Sequence, residues 1–440
     1  MESMVQKMRK MKDSGIEWIG EIPEGWEISK VSYFYEVQLG KMLQPQKKSE
    51  TDTEEKYLCA ANVGKSSLSL DTLKTMWFSQ TEKHQFDLKE GDLLVVEGGD
   101  VASCAIIETP IRNLFFQNAL HRVRPLHNES VAFLRYWLMT AKSYGYIDLI
   151  CNKATIAHFS KEKFIALPIL VIPQDIQSKI VSFLDLECKQ IDDLLSKSRS
   201  SIEEYKKLKQ AVITQAVTKG VRGEREMKDS GVAWIGKIPT TYSICKLKYL
   251  LKNPLKYGAN ESGIPYSDSL PRYIRITDIT PDGNLKCTGK LSLSEESAKD
   301  YILEDGDILF ARSGATVGKT FIYCQSYGRS AYAGYLIKAS LNNKVSPKFV
   351  YYYTCSSLYE IWKNSIFIQS TIQNIGADRY ANLPVPVPMT LQEQEEIADY
   401  LDAKCAEIDK LIAKKEQLLK ELESYKKSLI YEVVTGKREV

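Results

Sequence analysis

Two long stretches of this chain carry apolar residues at every seventh position. From the proline-containing segment 167–173 to Val217, one heptad position reads Leu184, Ile191, Ser198, Tyr205 and Val212, flanked by Cys188, Leu195 and Ile202. After a second such segment, 383–388, the same positions read Leu401, Ile408, Lys415, Leu422 and Leu429, flanked by Cys405, Ile412 and Leu419. Apolar stripes of period seven sustained over several heptads predict coiled-coil helices. Leu194, Leu208, Leu411, Leu418 and Tyr425 are expected to widen the seam. A helix with such a stripe needs a cover. Its repeat equivalent is the obvious one, and the long intervening segment lets the two run antiparallel. The leading segments LPILVIP and LPVPVP cannot continue a helix and predict extended hinges.

Ahead of each helix the pattern changes. LLVVE at 93–97 and DILFAR at 307–312 are aliphatic runs after Gly-Asp turns, as strands should be. RYIRITDI, through Tyr273–Ile279, alternates apolar and polar residues and ends at the turn sequence Thr280-Pro281-Asp282-Gly283. Two aromatic-rich stretches, 133–150 and 349–366, predict helices packed into a core.

The chain also says the same thing twice. MKDSGIEWIGEIP opens at residue 11 and MKDSGVAWIGKIP at residue 227. Helix starts and Gly-Asp strands recur at nearly the same shift, so the repeat is a whole domain and not a solenoid unit. The expected organisation is a disordered head at 1–10, a globular domain at 11–170, a long helix at 171–222, a second globular domain at 223–386 and a second long helix at 387–440. The fold class is α+β: two duplicated α/β domains separated by two long helices in an antiparallel coiled coil, with pseudo-twofold symmetry.

Composition narrows the class. An apolar share of 44% fits a water-soluble globular chain. The longest apolar run, Ile165 to Pro173, is too short to span a membrane, and a cytoplasmic protein is expected. Nine cysteines are scattered without a C-x-x-C pair. Cys188 and Cys405 fall on apolar helix faces, and buried reduced thiols are expected. Net charge is +3; residues 223–388 hold 20 Lys and Arg against 15 Asp and Glu, whereas residues 1–173 hold 21 against 22. A mildly basic second domain suits a nucleic-acid contact.

Catalytic motifs are largely missing from the sequence. Ser313-Gly314-Ala315-Thr316-Val317-Gly318-Lys319-Thr320 ends like a phosphate-binding loop, but Ser313 stands where that motif needs its first glycine. A tight strand-to-strand turn, with Arg312 and Lys319 facing a phosphate backbone, is expected instead. Asn253-Pro254-Leu255-Lys256 lacks the second proline and the aromatic residue of an amino-methyltransferase motif. Four histidines show no metal-ligand spacing. No catalytic residue, metal or cofactor is expected, and a duplicated chain without chemistry points to recognition.

The residues then carry a resemblance. DSGIEWIGEIPEGWE, the LEDGDILFARSGATVGK stretch, STIQNIGADRYANLPVPVP, EQEEIADYLD and the closing YKKSLIYEVVTGK, in this order and partly repeated, resemble the specificity subunits of type I restriction–modification systems from about Met11 to the end. The resemblance implies two target-recognition domains, each reading half of a split double-stranded DNA site. It implies that the helices act as spacer and as docking surface for two methyltransferase subunits and for restriction (translocase) subunits, which carry the catalysis. DNA-binding candidates are Gln117, Asn118, Arg122, Arg124, Lys153 and Thr155 in the first domain, and Arg275, Arg312, Lys319, Arg329, Thr371 and Gln373 in the second. The helix seam is assigned to Leu184, Ile191, Leu195, Ile202, Tyr205, Val212, Leu401, Ile408, Ile412, Leu419, Leu422 and Leu429. Where the second domain has Arg312, the first has Glu97, so phosphate contact is expected only of the second. Two other readings are weaker. A single-chain nuclease or methyltransferase is opposed by the missing motifs. A coiled-coil adaptor without DNA contact is separable from a DNA reader by salt titration.

Overall fold

Leu93–Val96 shows how each globular part is built. The strand sends successive side chains to opposite faces, and all four are buried. Leu93 and Val95 enter one core, shared with the aromatic helix; Leu94 and Val96 enter another, between two sheets. The repeat equivalent, Ile308–Ala311, does the same, with Ile308 and Phe310 in one core and Leu309 and Ala311 in another. Cover on both faces is what a continuous apolar run requires.

The computed structural model describes residues 9–64, 67–151, 158–280, 283–367 and 374–440. The chain divides into two compact units, 1–198 with 417–440, and 199–416. Each unit therefore takes one globular part and a segment of both long helices, Gln174–Lys219 and Leu391–Val434.

The first unit holds a four-stranded antiparallel sheet in the order Tyr35–Leu39, Leu120–Pro125, Leu93–Val96, Cys104–Ile106. A second sheet orders Lys74–Phe78, Thr53–Leu58 and Leu114–Phe116, the last pair parallel. In the second unit the corresponding sheet is Lys256–Tyr257, Leu336–Ala339, Ile308–Ala311, Thr320–Ile322. Its companion is Ile264–Pro265, Leu291–Ser292, Arg272–Ile274, Ser330–Tyr332. The strand expected through Ile279 stops at Ile274. Asp278 accepts from the Arg275 backbone N–H and the Arg275 guanidinium, which caps a 3-10 turn at Ile276–Asp278 and bends the chain.

The repeated opening motif folds identically in both units. Asp13 accepts from Gly15 N–H at 2.9 Å, and Asp229 from Gly231 N–H at 2.9 Å. Gly15 and Gly231 have φ of +72° and +74°, a conformation that favours glycine. Arg9 and Lys10, placed in the expected disordered head, make contacts: Arg9 lies over the Trp26 ring, and the Lys10 carbonyl accepts from Glu24 N–H. Residues 1–8 of that head lie outside the described residues.

The proline segments are more than hinges. Pro168–Val171 pairs antiparallel with Glu27–Lys30, and Pro384–Pro388 with Tyr242–Lys246. Proline fits such edge pairings, where every other N–H points away. The aromatic helices begin at Val131 and Pro347 and pack into the cores as expected. Trp137 Nε1 donates to the Pro168 carbonyl at 2.7 Å, and Tyr353, its repeat equivalent, donates to the Pro384 carbonyl at 2.5 Å. Tyr136 donates to Asp185 and Tyr352 to Asp402, both at 2.6 Å, tying each aromatic helix to a long helix.

Within each unit the long-helix segments run antiparallel. Ile180, Leu184, Cys188, Ile191 and Leu195 share a core with Leu429, Ile430, Val433 and Val434 in the first. Ile213, Ala216 and Val217 share one with Ile397, Leu401 and Cys405 in the second. Asp192 pairs with Lys426 at 2.7 Å. Asp409 and Lys209, their repeat equivalents with the helices exchanged, pair at 2.6 Å. Of the assigned seam, Leu184, Ile191, Leu195, Ile202, Leu401, Ile408 and Leu429 are buried, while Tyr205, Val212, Ile412, Leu419 and Leu422 are half-buried. The expected widening does not occur: Leu194, Leu208, Leu411, Leu418 and Tyr425 are exposed by 36–49%. Leu194, Leu411 and Leu418 each precede a seam residue by one position, about 100° round the helix.

Cys188 and Cys405 are buried, but Cys287 and Cys324 are exposed, against the expectation for thiols in general. Among the described residues no helix is long and apolar enough to cross a membrane.

Candidate nucleic-acid interface

In each unit the end of one strand meets the turn that joins two strands of different sheets. Gly40 N–H donates to Leu120 and Lys41 N–H to Phe116; Gly258 and Ala259 donate in the same way to Leu336 and Tyr332. At these crossings a Cβ on Gly40 would stand 2.3 Å from the Gln117 carbonyl oxygen, and one on Gly258 2.3 Å from that of Ala333. Only glycine permits the approach.

Next to this crossing lie Glu97 and Arg312. Glu97 N–H donates to the Ala119 carbonyl at 2.9 Å, and its own carbonyl accepts from Phe159 at 2.8 Å. Arg312 N–H donates to the Tyr335 carbonyl at 3.0 Å, and its carbonyl accepts from Ile375 at 2.8 Å. The neighbours Gly98 and Ser313 bridge to His158 and Asn374. Hydrogen bonds thus place the two side chains at equivalent sites. The Arg312 guanidinium lies 5.0 Å from the centre of the Tyr257 ring, with Nε buried and unpartnered. Among the described residues, neither the Arg312 guanidinium nor the Glu97 carboxylate has a hydrogen bond or ion pair. Burial raises the Glu97 pKa above the ordinary carboxylate value, with Glu162 adding and His158 opposing.

The phosphate-loop look-alike is a hairpin. Ile308–Ala311 pairs directly with Thr320–Ile322, so a strand follows where a nucleotide-binding loop needs a helix. Gly314 and Gly318 turn the chain at φ of +78° and +81°. A Cβ at Gly318 would strike the Lys363 stem. The two hairpin cations have different surroundings. Lys319 lines a cleft of about 590 Å³ with Lys206, Lys209 and Asp409 of the long helices, whereas Arg312 lies over Tyr257.

Several candidates are held inside the fold. Arg122 is buried and donates to the carbonyls of Gln85 and Asp87 at 3.1 and 2.8 Å. Arg124 grips Asp92 with two bonds, of 2.5 and 2.7 Å. Asp92 also accepts from Lys89 N–H, closing the Gly-Asp turn. In the second unit Asp307 takes the same place, accepting from Glu304 N–H and Ser340 Oγ, with Lys338 3.4 Å away. Arg275 is fixed on Asp278 and the Gly289 carbonyl. Arg329 is paired with Glu295 at 2.5 and 2.8 Å on the surface. Gln117 and Asn118 sit at the crossing beside Lys41, with side chains that bond no described residue. Lys153, Thr155, Thr371 and Gln373 lie outside the described residues.

Two residues were missed by sequence reasoning. Tyr257 supports Arg312, and Tyr335, 61% exposed, receives its backbone N–H. Applying the repeat shift to Ala119 would have singled out Tyr335; nothing local marks Tyr257. Among the described residues no group of three or more His, Cys, Asp and Glu could hold a metal ion.

Known proteins share this build. The family model for the type I restriction modification DNA specificity domain matches residues 23–204 and 264–424. The type I restriction enzyme MjaVIII specificity subunit of Methanocaldococcus jannaschii is 24% identical over 297 residues, and the match spans 64% of each chain. A protein provisionally named as the MjaX specificity subunit of the same organism is 25% identical over 95% of each chain. A solved structure from work on complex assembly and conformational transition of the type I R-M system superposes with a TM-score of 0.70 at 13% identity. It covers 94% of this chain and 98% of its own. At that identity the likeness is one of fold.

Proposed function

The chain belongs to the type I restriction modification DNA specificity family, and from that premise we propose that it reads a two-part target on double-stranded DNA, one part per unit. The observation that carries this is the contrast at one position. Two frameworks that match bond for bond present Arg312 in one unit and Glu97 in the other. A shared frame with an exchanged side chain is what two readers of different sequences need.

In this reading Gln117, Asn118 and Glu97 face the DNA in the first unit, and Arg312 with Tyr335 in the second. Arg122 and Arg124 act as internal struts. The long helices set the interval between the two half-targets and offer docking surface to two methyltransferase subunits and to restriction subunits. The chain itself supplies recognition and no turnover; cleavage or methylation of DNA by the purified chain with Mg²⁺ and methyl donor would contradict that part.

Salt titration tests the DNA contact. Affinity for duplex DNA should fall steeply, linearly in log salt, because each neutralised phosphate releases counterions. An affinity indifferent to salt, or no binding at any salt, would favour a coiled-coil adaptor.

A further inference from the structure

We infer that Glu97 and Arg312 each read the edge of a G·C base pair, Glu97 from the cytosine side and Arg312 from the guanine side. This rests on the DNA-reading function proposed above and names what one position in each unit recognises.

The backbone at residues 97 and 312 is held by the same pair of hydrogen bonds and beside the same bridge, so the two side chains leave equivalent points. One is an anion and the other a cation, and neither has a hydrogen-bonding partner among the described residues. A phosphate could accept Arg312 but would repel Glu97. A surface that accommodates both must offer donors in one place and acceptors in another, as base edges do. In the major groove guanine presents two acceptors, O6 and N7, matched to a guanidinium, and cytosine presents an N4 amino donor, matched to a carboxylate. The Tyr257 ring under the guanidinium limits its freedom and suits it to a two-bond contact.

Selection of bound fragments from a duplex pool of random sequence, using the full chain and its Glu97→Gln and Arg312→Gln variants, tests this. Glutamine pairs with adenine N6 and N7. Each variant should therefore exchange one G·C pair for A·T within its own half-target and leave the other half unchanged. On the wild-type sequence each should bind roughly tenfold or more weakly. Thermal melting checks that the variants fold. Wild-type protein on duplexes with 7-deazaguanine gives an answer that needs no variant. Removing N7 should weaken binding at the guanine read by Arg312 and not at the guanine opposite the cytosine read by Glu97. Unchanged selected sequences for both variants would overturn the inference while leaving the DNA-reading function standing. So would a uniform loss of affinity with a smaller salt slope for Arg312→Gln, the mark of a phosphate contact. Failure of the wild-type chain to enrich any sequence would overturn the DNA-reading function and this inference with it.

Discussion

Single residues here are fixed by what their neighbours leave open. His121 is fully buried, its Nε2 lies 2.7 Å from the Phe159 carbonyl, and its Nδ1 has no partner. The ring is therefore neutral, with the proton on Nε2, and burial lowers its pKa below 6.5. A base with a depressed folded pKa stabilises the fold above its unfolded value and loses that contribution as pH falls through the folded one. Wild type should thus lose stability below about pH 6.5, by at most about 1.4 kcal/mol per pH unit from this group. Melting of His121→Gln should be flatter over the same window; parallel curves would remove His121 from the account. The strand-crossing glycines act by shape alone. Gly40→Ala and Gly258→Ala should each cost about 3 kcal/mol in chemical denaturation, since the carbonyl in the way is backbone in both units. A loss below about 0.5 kcal/mol would mean the crossing yields.

Elements differ in how openly the sequence declares them. The long helices were legible because a period of seven persists across many turns. Their phase was less so: Leu411 and Ile412 are adjacent and equally apolar, yet the first is exposed and the second half-buried. Leu401→Ala, at a fully buried seam position, should cost about 2–5 kcal/mol. Leu411→Ala should cost less than about 0.5 kcal/mol, and equal losses would show a wider seam than the structure has. The strand at Leu93–Val96 could be read from its Gly-Asp turn and apolar run. The fate of the strand beside it could not. Arg122 and Arg124 look like free cations along Leu120–Pro125, but Asp92 and the carbonyls that occupy them come from distant parts of the chain. Tyr257 was hidden for the same reason, since its bond to function runs through Arg312, far along the sequence. Gln117, Asn118 and Arg312 could be named from the sequence itself, whereas the correspondence of Glu97 to Arg312 needed the repeat.

At the scale of the whole molecule the duplication is the main fact. Each unit repeats the same turn at its opening motif, the same tyrosine–aspartate tie and the same helix ion pair. At the position of Glu97 and Arg312 the two units hold equivalent backbone with opposite charges. Two readers on one frame should report two words. Sequencing the fragments that the wild-type chain selects from random duplex DNA measures this directly. Two short conserved blocks, separated by a constant run of base pairs without preference, are the predicted result. One continuous block, or two blocks at freely varying separation, would contradict it.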